Sequence, residues 1–180
     1  VHMPKANEFV PAVTDTLDEL AADESLFPYL HFLDPHAPYD PPDSFKSRFV
    51  DARAPEPYQD GERERVRRAL GRGQLSPALK SKTVRLYDSN IAWVDHNLGL
   101  IFDELRARGL HEGALIVVTS DHGMPFPFVK GQIYEDAFHL PLAMRWGQGI
   151  KPGRVVEDFV NVRDFAPTYL ELAGLPPHPQ

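Results

Sequence analysis

Two short stretches of this 180-residue chain carry side chains suited to ligand or proton chemistry. The first is a proline-rich loop holding Asp34, His36 and Asp40, and the second is Ser120-Asp121-His122-Gly123, followed by Lys130-Gly131. Asp121 and His122 place one hard oxygen donor beside one imidazole, and neighbours in a turn can both reach a single cation while Gly123 lets the backbone turn away. A plainer reading stands beside each. An Asp-His pair also suits a surface turn, a single loop lysine is ordinarily solvated, and a histidine among prolines is ordinarily a loop residue. Ser120, Asp121 and His122 form no hydrolase triad: consecutive residues cannot build the relay that distant positions create, and no G-x-S-x-G elbow is present.

The elements that must position these residues follow from hydrophobic spacing. Phe9, Val10, Val13, Leu17 and Leu20 recur at intervals of one, three, four and three, which predicts an amphipathic helix between Pro4 and Ala22. Leu26 to Leu33 is aromatic-rich and nearly all apolar, as in a strand buried on both faces, which makes His31 a core histidine. Five prolines between 28 and 42 predict a stiff, irregular loop after Leu33. Residues 43 to 75 show no core pattern, and the five arginines between Gly61 and Gly73 read as an exposed segment.

Ser76-Pro77 is a cap and first-turn pair. Val84, Tyr87, Ile91, Val94, Leu98, Ile101 and Leu105 then alternate at three and four, predicting a long helix that stops at Gly109. Ala114 to Thr119 is β-branched without alternation, the pattern of a central parallel strand. Leu140 to Trp146 and Val155 to Val160 are further strand candidates. Asp164 is positioned to cap a last helix from Phe165 to Ala173, with Gly174 as its stop. The order gives an α/β fold, a mostly parallel mixed sheet flanked by helices, in one domain over residues 1–180. Ligands of such sheets bind at the carboxyl ends of strands, so the residues after Leu33 and Thr119 carry the most weight.

Composition narrows the chemistry. Nineteen Lys and Arg against 26 Asp and Glu give a formal charge of −7, which argues against nonspecific attraction to nucleic acid or anionic lipid. With no cysteine, disulfides, thiolate catalysis and Cys-ligated metal sites are excluded. No apolar run is long enough to span a bilayer. The first residues lack the basic segment and apolar run of a secretory signal.

The segment LHFLDPHAPYDPP resembles the sulfatase stretch in which a strand runs into a Pro-His-x-Pro-Tyr loop. TSDHGMPFPFVKGQIYE resembles the same family's metal-binding strand end, Ser-Asp-[Asn/His]-Gly, with its later Lys-Gly. The helix carrying Asp95, the FHLPLAMRW strand and the VRDFAPTYLELAGLP helix follow in the family's order, so the resemblance covers nearly the whole chain from about residue 26. The chain is similar to the C-terminal part of the catalytic domain of sulfatases in the alkaline phosphatase superfamily. Within them, the Pro-Phe-Pro after Asp-His-Gly is most similar to the heparan N-sulfatase (sulfamidase) branch.

The resemblance implies that Asp121 and His122 ligate a divalent cation, usually calcium in sulfatases. His122 departs from the asparagine of many relatives and opens the site to manganese or zinc. It also implies that Lys130 clamps a sulfate oxygen and that His36 binds the sulfate or protonates the leaving group. His139 is a further substrate-contact candidate, at a position where many sulfatases carry an arginine or a small residue. The implied substrate is a sulfated carbohydrate or another sulfate ester. The compartment stays open, since such enzymes are often periplasmic, secreted or lysosomal, and so does the oligomeric state.

Sulfatases attack with a formylglycine made from a C/S-x-P-x-R motif, which this sequence lacks, as it lacks the family's N-terminal metal-binding aspartates. The expectation is a sulfuric ester or sulfamate hydrolase with its N-terminal part missing, inactive as this chain alone. Two alternatives are a phosphoesterase or phosphonate hydrolase of the same superfamily and a non-catalytic binding domain.

Overall fold

A computed structural model describes residues 4–21, 24–37, 39–50, 77–123 and 130–176. The chain divides into two compact units, Val1–Gln148 and Gly149–Gln180. The arginine-rich segment between Gly61 and Gly73, the cap residue Ser76 and the Pro-Phe-Pro after Gly123 lie outside the described residues.

Within the first unit, helix α1 spans Ala6–Glu19 and α2 spans Asp43–Phe49. Both pack on α3, Pro77–Ala107, a helix of 31 residues that begins at the expected proline. The predicted face of α1 is the buried one: Val13 and Leu17 meet Ile101 of α3, with Phe9, Val10, Leu20 and Leu105 packed around them. Glu8 Oε1 accepts from the Lys5 N–H at 2.8 Å, relieving one unpaired donor at the start of α1. Arg108, just past α3, pairs with Asp18 of α1 and Glu104, tying the helix ends together.

The face of α3 that packs is rotated from the one its apolar spacing predicts. Ile91 is 44% exposed, whereas Thr83, Leu86, Asn90, Asn97 and Ile101 are buried. Asn97 tolerates that burial because its Nδ2 donates to the Trp93 carbonyl at 2.8 Å, whereas Asn90 Nδ2 is buried without a hydrogen-bond partner among the described residues. The helix ends where glycine predicts. Gly109 has φ +71°, its N–H donates to Arg106 and that of Leu110 to Leu105, the paired bonds of a left-handed C-terminal cap.

Leu26 to Leu33 does not form a strand. Leu26, Phe27 and Tyr29 are exposed, His31 is exposed rather than a core residue, and Leu30 and Phe32 alone lean on the α1–α3 cluster. A strand buried on both faces needs a ladder partner, and among the described residues no strand forms a ladder with this segment.

Strand β1, Leu115–Thr119, and β2, Leu142–Trp146, match the expected positions. They pair antiparallel, with Leu115 opposite Trp146, Val117 opposite Met144 and Thr119 opposite Leu142. The α/β class holds, while the expected parallel neighbours of β1 are not found among the described residues. Val118 and Met144 are each 37% exposed, as befits strands that have one ladder neighbour each among the described residues. A short helix α4, Glu135–Phe138, lies in the connection between them. Among the described residues no helix is long and apolar enough to cross a membrane.

In the second unit, Val155 to Val160 is irregular and exposed rather than a strand, again without a ladder partner among the described residues. A 3-10 turn, Val162–Asp164, leads into α5, Phe165–Leu172. Asp164 makes no side-chain cap bond. The capping side chain is Asn161, whose Oδ1 accepts from the Arg163 N–H at 3.0 Å, because the chain begins to coil three residues before the predicted start. Gly174, φ +69°, ends α5 as expected.

Candidate functional site

The Ser120-to-Gly123 turn leaves the C-terminal end of β1, where the sequence places it. Ser120 Oγ donates to the His122 carbonyl at 2.6 Å and closes the turn locally. The Gly123 N–H donates to the Ala137 carbonyl at 3.0 Å, docking the turn on α4. Sequence reasoning assigns Gly123 to a sharp backbone turn. Its requirement is instead steric, since an added Cβ would lie 1.7 Å from the Asp136 carbonyl oxygen.

His122 and Asp121 are oriented as a pair of donors. His122 Nδ1 lies 2.7 Å from the Gly123 carbonyl, which fixes Nδ1 as the protonated nitrogen and leaves a lone pair on Nε2. Nε2 is 3.6 Å from Asp121 Oδ2, too far for a hydrogen bond and suitable for two atoms sharing one cation. A backbone carbonyl that holds the far nitrogen is the usual support of a metal-binding histidine. Asp121 is open to solvent and His122 half-buried. Among the described residues no third carboxylate or imidazole joins them in a ligand group.

His139 directly follows α4 and lies 3.5 Å from Glu135. Lys130 is exposed and precedes Gly131, whose φ of +78° turns the chain toward α4. His36 is exposed, and its Nδ1 lies 2.6 Å from the Ala37 carbonyl, so Nε2 is the nitrogen available to a ligand. The structure thus brings Asp121 and His122 together and docks their turn on the helix that leads to His139. No hydrogen bond, ion pair or ring contact among the described residues joins His36 or Lys130 to them.

The proline-rich loop after Leu33 forms as expected, but other side chains hold it. Asp34 is 7% exposed, and burial pushes its carboxyl above the ordinary 3.8, against the hydrogen bond from the Ala6 N–H and the charge of Lys5, both of which lower it. Its Oδ2 is buried without a hydrogen-bond partner among the described residues, a condition that costs about 1–3 kcal/mol. Tyr39 is buried with its ring edge-on to Tyr87, 5.6 Å between centroids. Lys46 of α2 reaches back to Asp40 at 2.5 Å and Asp43 at 3.4 Å. Sequence reasoning noticed Asp34 and Asp40 and missed Lys46 and Trp93. The one available signal was a lysine six residues after an aspartate across a proline pair.

A family model described as Sulfatase matches residues 2–175. The chain belongs to the sulfatase family. Human N-sulphoglucosamine sulphohydrolase is 31% identical to this sulfatase chain over 108 residues, which cover 56% of the chain and 20% of that protein. Dog arylsulfatase K is 37% identical over 100 residues, 53% of the chain and 18% of the relative. Arylsulfatase of Clostridium perfringens is 25% identical over 180 residues, 91% of the chain and 37% of the relative. The chain therefore spans about a fifth of the length of the first two curated relatives.

Proposed function

We propose that this sulfatase chain serves a hydrolase of sulfuric esters or sulfamates on sugars, supplying cation and sulfate contacts but no nucleophile. The observation that carries the reading is the Asp121–His122 pair, with Nδ1 of His122 held by a carbonyl and its two outward donors 3.6 Å apart. These residues fit part of a divalent cation's ligand set. Calcium is the ion the family suggests, and the imidazole equally suits manganese or zinc. When bound, such a cation neutralises charge on the sulfate oxygens.

The remaining roles fall to side chains of the two loops. Lys130 binds a non-bridging sulfate oxygen through Nζ, and His139 contacts the substrate beside it. In its imidazolium form, with Nδ1–H committed to the Ala37 carbonyl, His36 donates from Nε2–H to the sulfate and hands that proton to the departing oxygen or nitrogen, leaving a neutral imidazole. A positioned acid of this kind contributes about 10²- to 10⁴-fold in rate. In this reading the two loops converge on one tetrahedral oxyanion within a single catalytic domain built around a mostly parallel sheet. The sequence holds no C/S-x-P-x-R motif to provide a formylglycine, so the chain by itself is inactive.

The imidazole at His122 also favours a second reading, a phosphoesterase of the same superfamily. Phosphate monoesters carry more negative charge and call for more cationic partners than Lys130 alone.

The test has two arms. Calorimetric titration of the chain with calcium and with manganese should show one binding event, weakened about tenfold or more in His122→Ala and Asp121→Asn, as expected for loss of a ligand. Aryl-sulfate hydrolysis with either metal should not exceed the buffer rate. Unchanged metal affinity in both variants would remove the site, and turnover by the chain would contradict the missing nucleophile.

A further inference from the structure

Asp34 is the one buried carboxyl among the described residues, and the hydrolase reading gives it no task. The side chain at the N-cap of α1 is Lys5, which has no acceptor to offer the free N–H groups of the first turn. The carboxyl of Asp34 fills that place from a distant loop: it accepts from the Ala6 N–H at the positive end of the helix. Ala6 is fully buried, so solvent does not compete for the bond. On the other side of Asp34 the chain is equally constrained. The His36 N–H donates to the Leu33 carbonyl at 2.8 Å and closes a turn with Asp34 and Pro35 at its centre, where the proline ring fixes φ. The Asp34 carboxyl and the His36 imidazole are therefore two arms of one stiff turn, the first buried against α1 and the second exposed.

We infer that Asp34 is the positioning residue of His36: by tying the Leu33–His36 turn to the start of α1, it sets where the imidazole stands and which nitrogen it presents. The inference rests on the hydrolase reading, which gives His36 its role. A loop held for shape alone needs only apolar contact, of the kind that the buried Tyr39 supplies. A carboxyl buried with Oδ2 unpartnered among the described residues is destabilising, and what it adds is direction. Apolar packing is non-directional, whereas a hydrogen bond to a helix N–H fixes the orientation of the turn that carries it. Direction is what a proton donor requires, since His36 Nδ1 must stay on the Ala37 carbonyl, at 2.6 Å, for Nε2 to face outward.

The test reads the neutral His36 ring by nitrogen NMR in the 180-residue chain, with its signal assigned by its absence in His36→Gln. In the parent chain the proton should sit on Nδ1, bound to the Ala37 carbonyl. Asp34→Ala should turn this into the mixed tautomers of an unanchored histidine. It should also weaken inorganic sulfate, followed at the same signal, about tenfold, as expected when a partner that orients a binding side chain is lost. Asp34→Asn keeps an acceptor for the Ala6 N–H and should preserve both readouts. Ala6→Pro removes the donor instead, at the first helical position, where proline is favoured. Lys5 already has the extended angles that proline asks of its predecessor, φ −82° and ψ 157°, so this variant should reproduce Asp34→Ala. A merely structural role gives another pattern: Val13→Ala, in the α1–α3 core, should lower the urea midpoint and leave the His36 tautomer alone. An unchanged tautomer in either Asp34→Ala or Ala6→Pro, or an equal loss in Asp34→Asn, would overturn the positioning role. The tautomer is read without sulfate, which keeps the two ideas apart. A parent chain that binds no sulfate, while every variant shows the expected tautomer, upholds the anchor and sinks only the part His36 plays in the hydrolase reading.

Discussion

The two loops that hold the candidate site residues are fixed by opposite means. The turn after β1 is fixed by backbone: Gly123 donates to Ala137 and lies so close to Asp136 that no side chain fits between them. The loop after Leu33 is fixed by side chains, through buried Tyr39, buried Asp34 and the Lys46 bridge. A backbone clamp holds a pair of adjacent donors in register and tolerates changes of their side chains. A side-chain clamp couples the loop to helices α1 and α3, so a substitution in those helices reaches His36. Asp121 and His122 should therefore be replaceable without loss of fold, and the loop anchors should not.

The largest effect that could break this contrast is at Tyr39. Tyr39→Ala empties a buried aromatic site and should cost about 3–5 kcal/mol in urea unfolding; a cost near zero would mean that the prolines alone hold the loop. Next is Gly123→Ala, where the new methyl must displace the Asp136 carbonyl. It should cost about 1–3 kcal/mol, the range for overpacking, and should weaken metal binding with it. An unperturbed Gly123→Ala would show that the turn and α4 are not tightly docked. By comparison, His122→Ala should change stability by less than either.

Acid–base linkage sharpens the comparison further. Asp34 has a carboxyl raised above 3.8 by burial, so the folded state holds its proton more tightly than the unfolded chain. Its contribution is present below 3.8 and is lost as pH rises through the higher folded value. Asp34→Asn should flatten that decline, as read from unfolding midpoints between acid and neutral pH.

Glu112, at the opposite end of the strand pair from the site, behaves in the reverse sense. Its hydrogen bond with His111 and the charge of Arg145 lower its carboxyl below 4.5, so its contribution is present above 4.5 and lost as pH falls through the folded value. Glu112→Gln should produce the smallest effect of the series, a slight loss of stability confined to pH above 4.5 and reduced by salt. A pH profile of Asp34→Asn identical to the parent would show that the carboxyl is not desolvated in solution.

Local pattern made several elements legible. Pro77 and Gly109 bracket α3, Gly174 ends α5, and the β-branched run before Asp121 is a strand, because each depends on the residue's own backbone preferences. The Asp121–His122 pair was legible for the same reason, as its geometry is set within one turn. Leu26 to Leu33 and Val155 to Val160 were not legible as they stand, since apolar character predicts a strand only where another strand pairs with it. The buried face of α3 was also hidden, because Asn90 and Asn97 enter it against their polarity once α1 and α2 have covered that side.

The sequence by itself determined the family, the helix limits and the adjacency of an oxygen and a nitrogen donor after β1. Only the tertiary structure decided that β1 pairs antiparallel with β2, that Gly123 is demanded by Asp136 rather than by its own dihedral angles, and that Asp34 is a buried acceptor. Backbone preference is a property of a residue and its nearest neighbours. Burial, pairing and charge excess are properties of what lies across from a residue, and the chain must fold before that partner is chosen.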